Sequence, residues 1–318
     1  MASTSHFNVY NINISSFLLL FSVVIVSCSL TICFASESEV EKESEFAYVE
    51  GTGKGPKNWG KINPHWETCG KGQMQSPIDL LDGRAVQVFP SLGKLRRDYQ
   101  AAPAAVKNRG HDITVIWKGD AGKITINNTG YQLKQCHWHS PSEHTFNGSR
   151  YDLELHLVHY SSQGGVAVSA IVYEYGRPDR FLSRLFHHIT HVDPEEEIDA
   201  GIVNPGDIKF GSRKYYRYIG SLTSPPCTEG VIWTIVKKVL LPKHSHSISS
   251  SIYLLQRHDV YDYSDAFFYK QVRTVSREQV KALRDAVHDG YEANARPTQS
   301  SDGRAVFEYT PRVIEASA

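Results

Sequence analysis

Gln135-Cys136-His137-Trp138-His139, followed by Leu153-Glu154-Leu155-His156-Leu157-Val158-His159, settles what kind of chain this is. His137 and His139 stand two apart, which on a β-strand points both rings to one face. In the second stretch leucines alternate with other residues, the pattern of a half-buried strand. Paired side by side, the two strands bring His156 next to the first two imidazoles. Three neutral ring nitrogens leave one tetrahedral position open, the arrangement of a catalytic rather than a structural zinc. Each such ring needs its other N–H held by an acceptor. Gln135 shares a face with His137, and Glu154 with His156; both are polar where a purely structural strand takes an apolar residue. Histidines that merely satisfy one another inside a sheet account for any one of these residues, but poorly for three with two matched acceptors.

Short strand patterns surround the two stretches, at 113–117, 123–127, 131–139, 153–160, 166–175, 216–221 and 231–241, with Asn108-Arg109-Gly110 as a turn before the first. Residues 178–191 have helical spacing, with Phe181, Leu182, Leu185 and Phe186 on one face. Residues 276–288 do too, through Val280, Leu283 and Val287. Residues 36–75 are rich in Gly and Pro and predict little regular structure. Many short strands and few helices predict a mainly β, single-domain chain. His187 and His191 are four apart, the spacing of a metal pair on a helix. No glutamate follows His187 as the H-E-x-x-H pattern requires, so they read as a solvated helix end.

The first 36 residues contain no Lys, Arg, Asp or Glu, and 17–34 are almost continuously apolar. Cys33 and Ala35 supply small residues before a cut after Ala35, so residues 1–35 read as a secretory signal peptide. A membrane anchor is the alternative, since the apolar run is long for a signal. Acidic residues from Glu37 onward follow it, however, and not a basic stop-transfer flank. No later segment is long and apolar enough to span a bilayer, so the mature chain is expected not to be membrane-embedded. Its residues 36–318, about 280 in all, suffice for one large core. Lys+Arg and Asp+Glu cancel at 34 each, which gives no reason to expect nucleic acid as a partner. Cys28 and Cys33 leave with the signal; Cys69, Cys136 and Cys227 remain. An oxidising compartment favours one pair. Cys136 lies on the strand face opposite the histidines and reads as a small buried thiol. That leaves Cys69 with Cys227, closing a loop of more than 150 residues, a crosslink worth at most roughly 5 kcal/mol. Asn127 and Asn147 open glycosylation sequons, usable where exposed.

Further motifs stand in order over residues 46–298: Gln75-Ser76-Pro77-Ile78-Asp79, Asn108-Arg109-Gly110-His111, Ser142-Glu143-His144-Thr145, Ser221-Leu222-Thr223-Ser224-Pro225-Pro226 and Asn294-Ala295-Arg296-Pro297. Together with the two histidine stretches they make the chain resemble the α-class carbonic anhydrases, and within them the secreted plant branch. The resemblance implies a large twisted, mostly antiparallel central sheet with short peripheral helices, the whole in residues 36–318 with 299–318 as a tail. It implies Zn²⁺ on His137, His139 and His156, carbonic anhydrase being itself the standard example of a three-histidine catalytic zinc. Gln135 and Glu154 match the acceptors behind the ligands. Glu143 is expected to accept the hydroxyl hydrogen of Thr223. Thr223 then accepts from a zinc-bound hydroxide and aims it at CO₂, giving bicarbonate and a proton. Val158, Val168, Leu222, Thr223, Ser224, Val231 and Trp233 match the wall of the substrate pocket, apolar for the most part as CO₂ is.

His111 matches the proton-shuttle position, where an imidazole near pKa 6.5 can take and give protons near neutrality. Tyr48 matches a tyrosine that helps organise the waters beside it. Arg109 departs from the family's usual smaller polar residue and puts a cation beside that shuttle. The resemblance also implies the Cys69–Cys227 bridge and cis peptides at Ser76–Pro77 and Pro225–Pro226. The implied partner is CO₂/bicarbonate. The implied location is the secretory pathway, leading to the cell wall space or to a plastid reached by that route; oligomeric state is not legible. The alternative is a carbonic-anhydrase-like secreted storage or binding protein, since fold does not fix function. Damaged zinc ligands often mark such proteins, whereas here the three histidines, Glu143 and Thr223 are intact.

Overall fold

The computed structural model describes residues 46–80, 86–237, 273–287, 291–301 and 303–311. The expected signal peptide, the part of the 231–241 strand beyond Lys237, and His288 lie outside them. By its internal contacts the chain divides between Ala35 and Ser36, and every described residue belongs to the second unit.

The strands are β1 (Asp79–Leu80), β2 (Val86–Val88), β3 (Arg96–Tyr99), β4 (Ala102–Asn108), β5 (Ile113–Trp117), β6 (Gly122–Ile126), β7 (Thr129–His139), β8 (Thr145–Phe146), β9 (Leu153–Ser161), β10 (Val166–Tyr175), β11 (Glu197–Val203), β12 (Tyr215–Ser221), β13 (Glu229–Val236), β14 (Thr274–Val275) and β15 (Val306–Tyr309). Thirteen of them form one sheet whose main path runs β11-β4-β5-β7-β9-β10-β13-β12-β15-β2. Its neighbours are antiparallel except for β10 with β13, β15 with β2 and the short β14 on β10. The sheet is therefore mixed. Between β10 and β13 the chain makes the long excursion that a parallel pairing demands.

Register divides the sheet into two faces. His137 pairs with His156 and His139 with Glu154; Val158 pairs with Val168, and Val168 with Trp233. Side chains alternate along each strand, so all of these share one face with Gln135. The reverse face carries Cys136, Trp138, Leu155, Leu157, Ile171 and Tyr173, packed in one core with Phe181, Leu182, Leu185 and Ile189.

Those last four come from helix α1 (Arg180–Ile189), which starts where the Asp179 carboxylate accepts from the backbone N–H groups of Phe181 and Leu182. This cap and the C-cap at Thr190 trim the helix from the expected 178–191. Helix α2 (Arg277–Asp285) starts at a capping box between Ser276 and Gln279. Gln279 also joins the helices, accepting from the Asp179 amide at 2.8 Å and donating to the Asp179 carbonyl at 2.8 Å. Among the described residues no helix is long and apolar enough to cross a membrane.

Candidate metal centre

His137, His139 and His156 each offer a ring nitrogen, and the three atoms lie within 4.8 Å of one another in a buried setting. The other nitrogen of each ring is tied. His137 Nδ1 donates to Gln135 Oε1 at 2.9 Å, His139 Nδ1 to the Asn294 carbonyl at 2.7 Å, and His156 Nε2 to Glu154 Oε1 at 2.9 Å. An amide oxygen, a carbonyl and a carboxylate can only accept, so each bond fixes a tautomer. The nitrogens that face one another are consequently Nε2, Nε2 and Nδ1. His139 Nε2 is buried without a hydrogen-bond partner. A donor set of three imidazoles, each aimed by an acceptor behind it, fits a zinc ion.

A second cluster, His144, Glu154 and His156, is also compact, but its atoms are committed. Glu154 Oε1 takes the N–H groups of His156 and His144, the latter at 2.7 Å. Oε2 takes the backbone amides of Glu143 and His144 at 2.9 and 2.8 Å. Burial pushes this carboxyl up, yet the electrostatic pull and hydrogen bonds of His144 and His156 outweigh it and hold Glu154 well below the ordinary range. His144 Nε2 then accepts from the Tyr218 hydroxyl at 2.8 Å, and Tyr218 accepts from Ser76 Oγ at 2.8 Å. Sequence reasoning quoted His144 and Ser76 only as motif letters and gave Tyr218 no role. The Asn294 carbonyl escaped it altogether, because a backbone acceptor leaves no mark in side-chain identity.

Glu143 is fully buried. Its Oε1 accepts from the Arg296 amide at 2.9 Å, while Oε2 has no hydrogen-bond partner and lies 3.7 Å from His139 Nε2. Thr223 therefore does not make the expected bond to Glu143 in this conformation. Thr223 and Ser224 are buried on the loop after β12. Val158, Val168, Leu222, Val231 and Trp233 belong to one apolar cluster, and the Trp233 ring sits 4.9 Å from that of His156.

His111 is only 1 % exposed, its ring 5.1 Å from Phe46. Exchange with bulk water therefore requires the ring to swing out of this packing. Tyr48 packs edge-on against Phe46, Trp59 and Tyr291. The Arg109 charge is met within the same turn: its Nε donates to Asp112 Oδ1 at 2.7 Å and its terminal nitrogen to Oδ2. Burial pushes Asp112 up, but Arg109 chiefly, with His111 and His137, holds it well below the usual carboxylate range. Cys69 and Cys227 are bridged, and Ser76–Pro77, Pro225–Pro226 and also Ser140–Pro141 are cis. Cys136 is buried and free, its thiol pushed well up by burial, the condition of an inert thiol. Asn127 and Asn147 are exposed at turns. The His187 and His191 rings lie tilted with their centres 4.2 Å apart at the exposed end of α1, and His191 Nδ1 bonds the His187 carbonyl at 2.7 Å.

The family model for eukaryotic-type carbonic anhydrase matches residues 54–259. Alpha carbonic anhydrase 4 of Arabidopsis thaliana is 49% identical over 278 residues, 87% of this chain and 91% of its own length. Dioscorin DB3L of Dioscorea polystachya is 43% identical over 293 residues, 91% of this chain and 94% of its own. The crystal structure of dioscorin complexed with ascorbate superposes with a TM-score of 0.72 at 42% identity, covering 84% of this chain and 99% of that one. The α-carbonic anhydrase of Thermovibrio ammonificans, in complex with sulfanilamide, gives 0.66 at 28% identity, covering 85% and 100%. With a model match through more than half of its length and relatives aligned nearly end to end, the chain belongs to the eukaryotic-type carbonic anhydrase family.

Proposed function

We propose that the protein is a zinc enzyme that interconverts CO₂ with bicarbonate and a proton. One observation carries this reading: three buried imidazole nitrogens within 4.8 Å, each on a ring whose other nitrogen is locked. A bound zinc supplies Lewis acidity, which makes water a nucleophile near neutral pH; carbonic anhydrase is the standard case of that effect. The chain's residues do the rest. CO₂ has no charge and only weak acceptors, so it is held by dispersion against Val158, Val168, Leu222, Val231 and Trp233. Thr223 stands at the edge of that wall and orients the attacking water, with Glu143 accepting its hydroxyl hydrogen once the carboxylate turns toward it. His111 carries the released proton outward after its ring leaves the Phe46 contact, with Tyr48 beside it ordering water.

Metal content and stopped-flow CO₂ hydration, measured on one sample of purified protein, test the proposal. About one zinc per chain is expected, with turnover lost on chelation and regained with zinc. A folded chain that takes up zinc yet fails to hydrate CO₂ would favour the storage or binding alternative, which the dioscorin relatives keep in view. We also infer passage through the secretory route, to the cell wall space or onward to a plastid. The Cys69–Cys227 bridge and the exposed sequons at Asn127 and Asn147 support it.

A further inference from the structure

Asn294 lends its carbonyl to His139, and its side chain is committed as well. It is 5 % exposed, and both polar atoms of the amide are bonded. Nδ2 donates to the Trp138 carbonyl at 3.1 Å and to the His111 carbonyl at 2.9 Å. Oδ1 accepts from the Ser140 amide at 2.9 Å. Two carbonyls on one side and an N–H on the other leave a single orientation for this amide. Trp138 and Ser140 flank His139, whose Nδ1–H reaches the carbonyl of the same asparagine at 2.7 Å. One residue therefore grips His139 by its ring and by the peptide groups on both sides of it, and grips the backbone of His111 too.

The turn that carries His111 is closed from its other side. Asn108 Oδ1 accepts from the Gly110 amide at 2.8 Å, and Asn108 Nδ2 donates to the Ala286 carbonyl at 2.6 Å. Gly110 takes a φ of 81° there, a conformation that side chains beyond glycine resist. The Arg109 amide donates to the Asp112 carbonyl at 2.9 Å, alongside the Arg109–Asp112 side-chain pair. Moving this backbone would break several of these bonds and leave buried groups unpaired, which is costly. Turning the His111 ring breaks none of them. We propose that the Asn294 side chain is a positioning residue: it sets His139 and the His111 backbone in one rigid frame, so that the His111 ring travels by side-chain rotation within a fixed turn. The role of His111 here rests on the CO₂ reading above; the frame itself does not.

Three measurements on the full chain, parent against Asn294→Ala, test this. In hydrogen exchange of the metal-free protein, peptides over 106–112 and 136–142 should exchange roughly tenfold faster in the variant, the loss of about one buried hydrogen bond. Peptides over β12 and β13 should keep their rates. Zinc release from the loaded chain to a chelator should quicken by about tenfold, the usual cost of losing support behind a ligand. In stopped flow, kcat in dilute buffer should fall by about tenfold, a misplacement effect, and kcat/KM by much less, because proton export follows bicarbonate release. Added imidazole should restore kcat. Ser276→Ala, which loosens the molecule elsewhere, should move none of the three. Asn294→Asp fills the same space and still accepts from Ser140, but turns an oxygen toward the two carbonyls. It should reproduce the alanine result, and it carries the test if the alanine variant does not fold. Local exchange or zinc release like the parent's would overturn the frame. An unchanged kcat, or a loss that imidazole fails to restore, would overturn the positioning of His111. A parent that binds zinc but does not hydrate CO₂ defeats the CO₂ reading, while exchange and zinc release still decide the frame.

Discussion

His156 differs from its two companions in the nitrogen it presents. Glu154 takes its Nε2–H, so Nδ1 faces the cluster, whereas His137 and His139 present Nε2. The side chain therefore approaches the centre from its own angle, and no neighbour can stand in for it. His156→Ala should leave the protein folded but without retained zinc or hydration activity; full zinc in that variant would remove His156 from the ligand set. Thr223→Ala is expected to keep zinc and to lose about a hundredfold in turnover, the usual cost of one catalytic hydrogen-bonding group. Stopped-flow rates unchanged by that substitution would show that the threonine does not orient the attacking water.

Helix α2 shows how a short element is held by its first turn. Ser276 Oγ accepts from the Gln279 amide at 3.1 Å, and Gln279 in turn bonds both polar backbone groups of Asp179, the cap of α1. Ser276→Ala should cost about 1 kcal/mol of stability, read by urea denaturation, with kcat unchanged because both helices pack into the core on the reverse face of the sheet. Elements of this kind were legible where periodicity was strong: β5 and β10 have the bounds their alternation predicts, and β7 and β9 differ by a residue or two. The strands that escaped prediction lack that signal. β4 begins Ala102-Pro103-Ala104-Ala105, small residues with little preference for a strand. β11 is an edge strand that keeps the alternation for only five residues, with Ile198 and Ala200 half-buried, before a register shift between Asp199 and Ile202 breaks it and leaves Ile202 in solvent. The same limit applies to the site. Side-chain ligands and acceptors could be read from spacing, while the Asn294 carbonyl and the Arg296 amide act through backbone atoms that every residue possesses.

Acid should loosen the molecule through one imidazole remote from catalysis. His159 is buried, its Nδ1–H bonded to the Ala167 carbonyl and its Nε2 accepting from the Tyr99 hydroxyl. Burial lowers its pKa from 6.5 to about 4. Below 6.5 the unfolded chain gains a proton that the folded one refuses until about 4. Stability from this group is thus full above 6.5 and falls across that window, by about 3 kcal/mol in total. His159→Gln should flatten the decline when urea midpoints at about pH 7 and about pH 4.5 are compared; an undiminished slope would place the acid sensitivity elsewhere.

The distance along the chain between the clasp and its supports has a consequence for biosynthesis. Asn294 holds His139 across 155 positions, and Arg296 holds Glu143 across 153. Ribosomes deliver the amino end first. A nascent polypeptide exposes all its imidazole ligands long before the backbone groups that immobilise them have been polymerised. On the zinc reading proposed above, ion capture is then a late event, and products of premature termination upstream of Asn294 keep the three histidines but lose the carbonyl that aims His139.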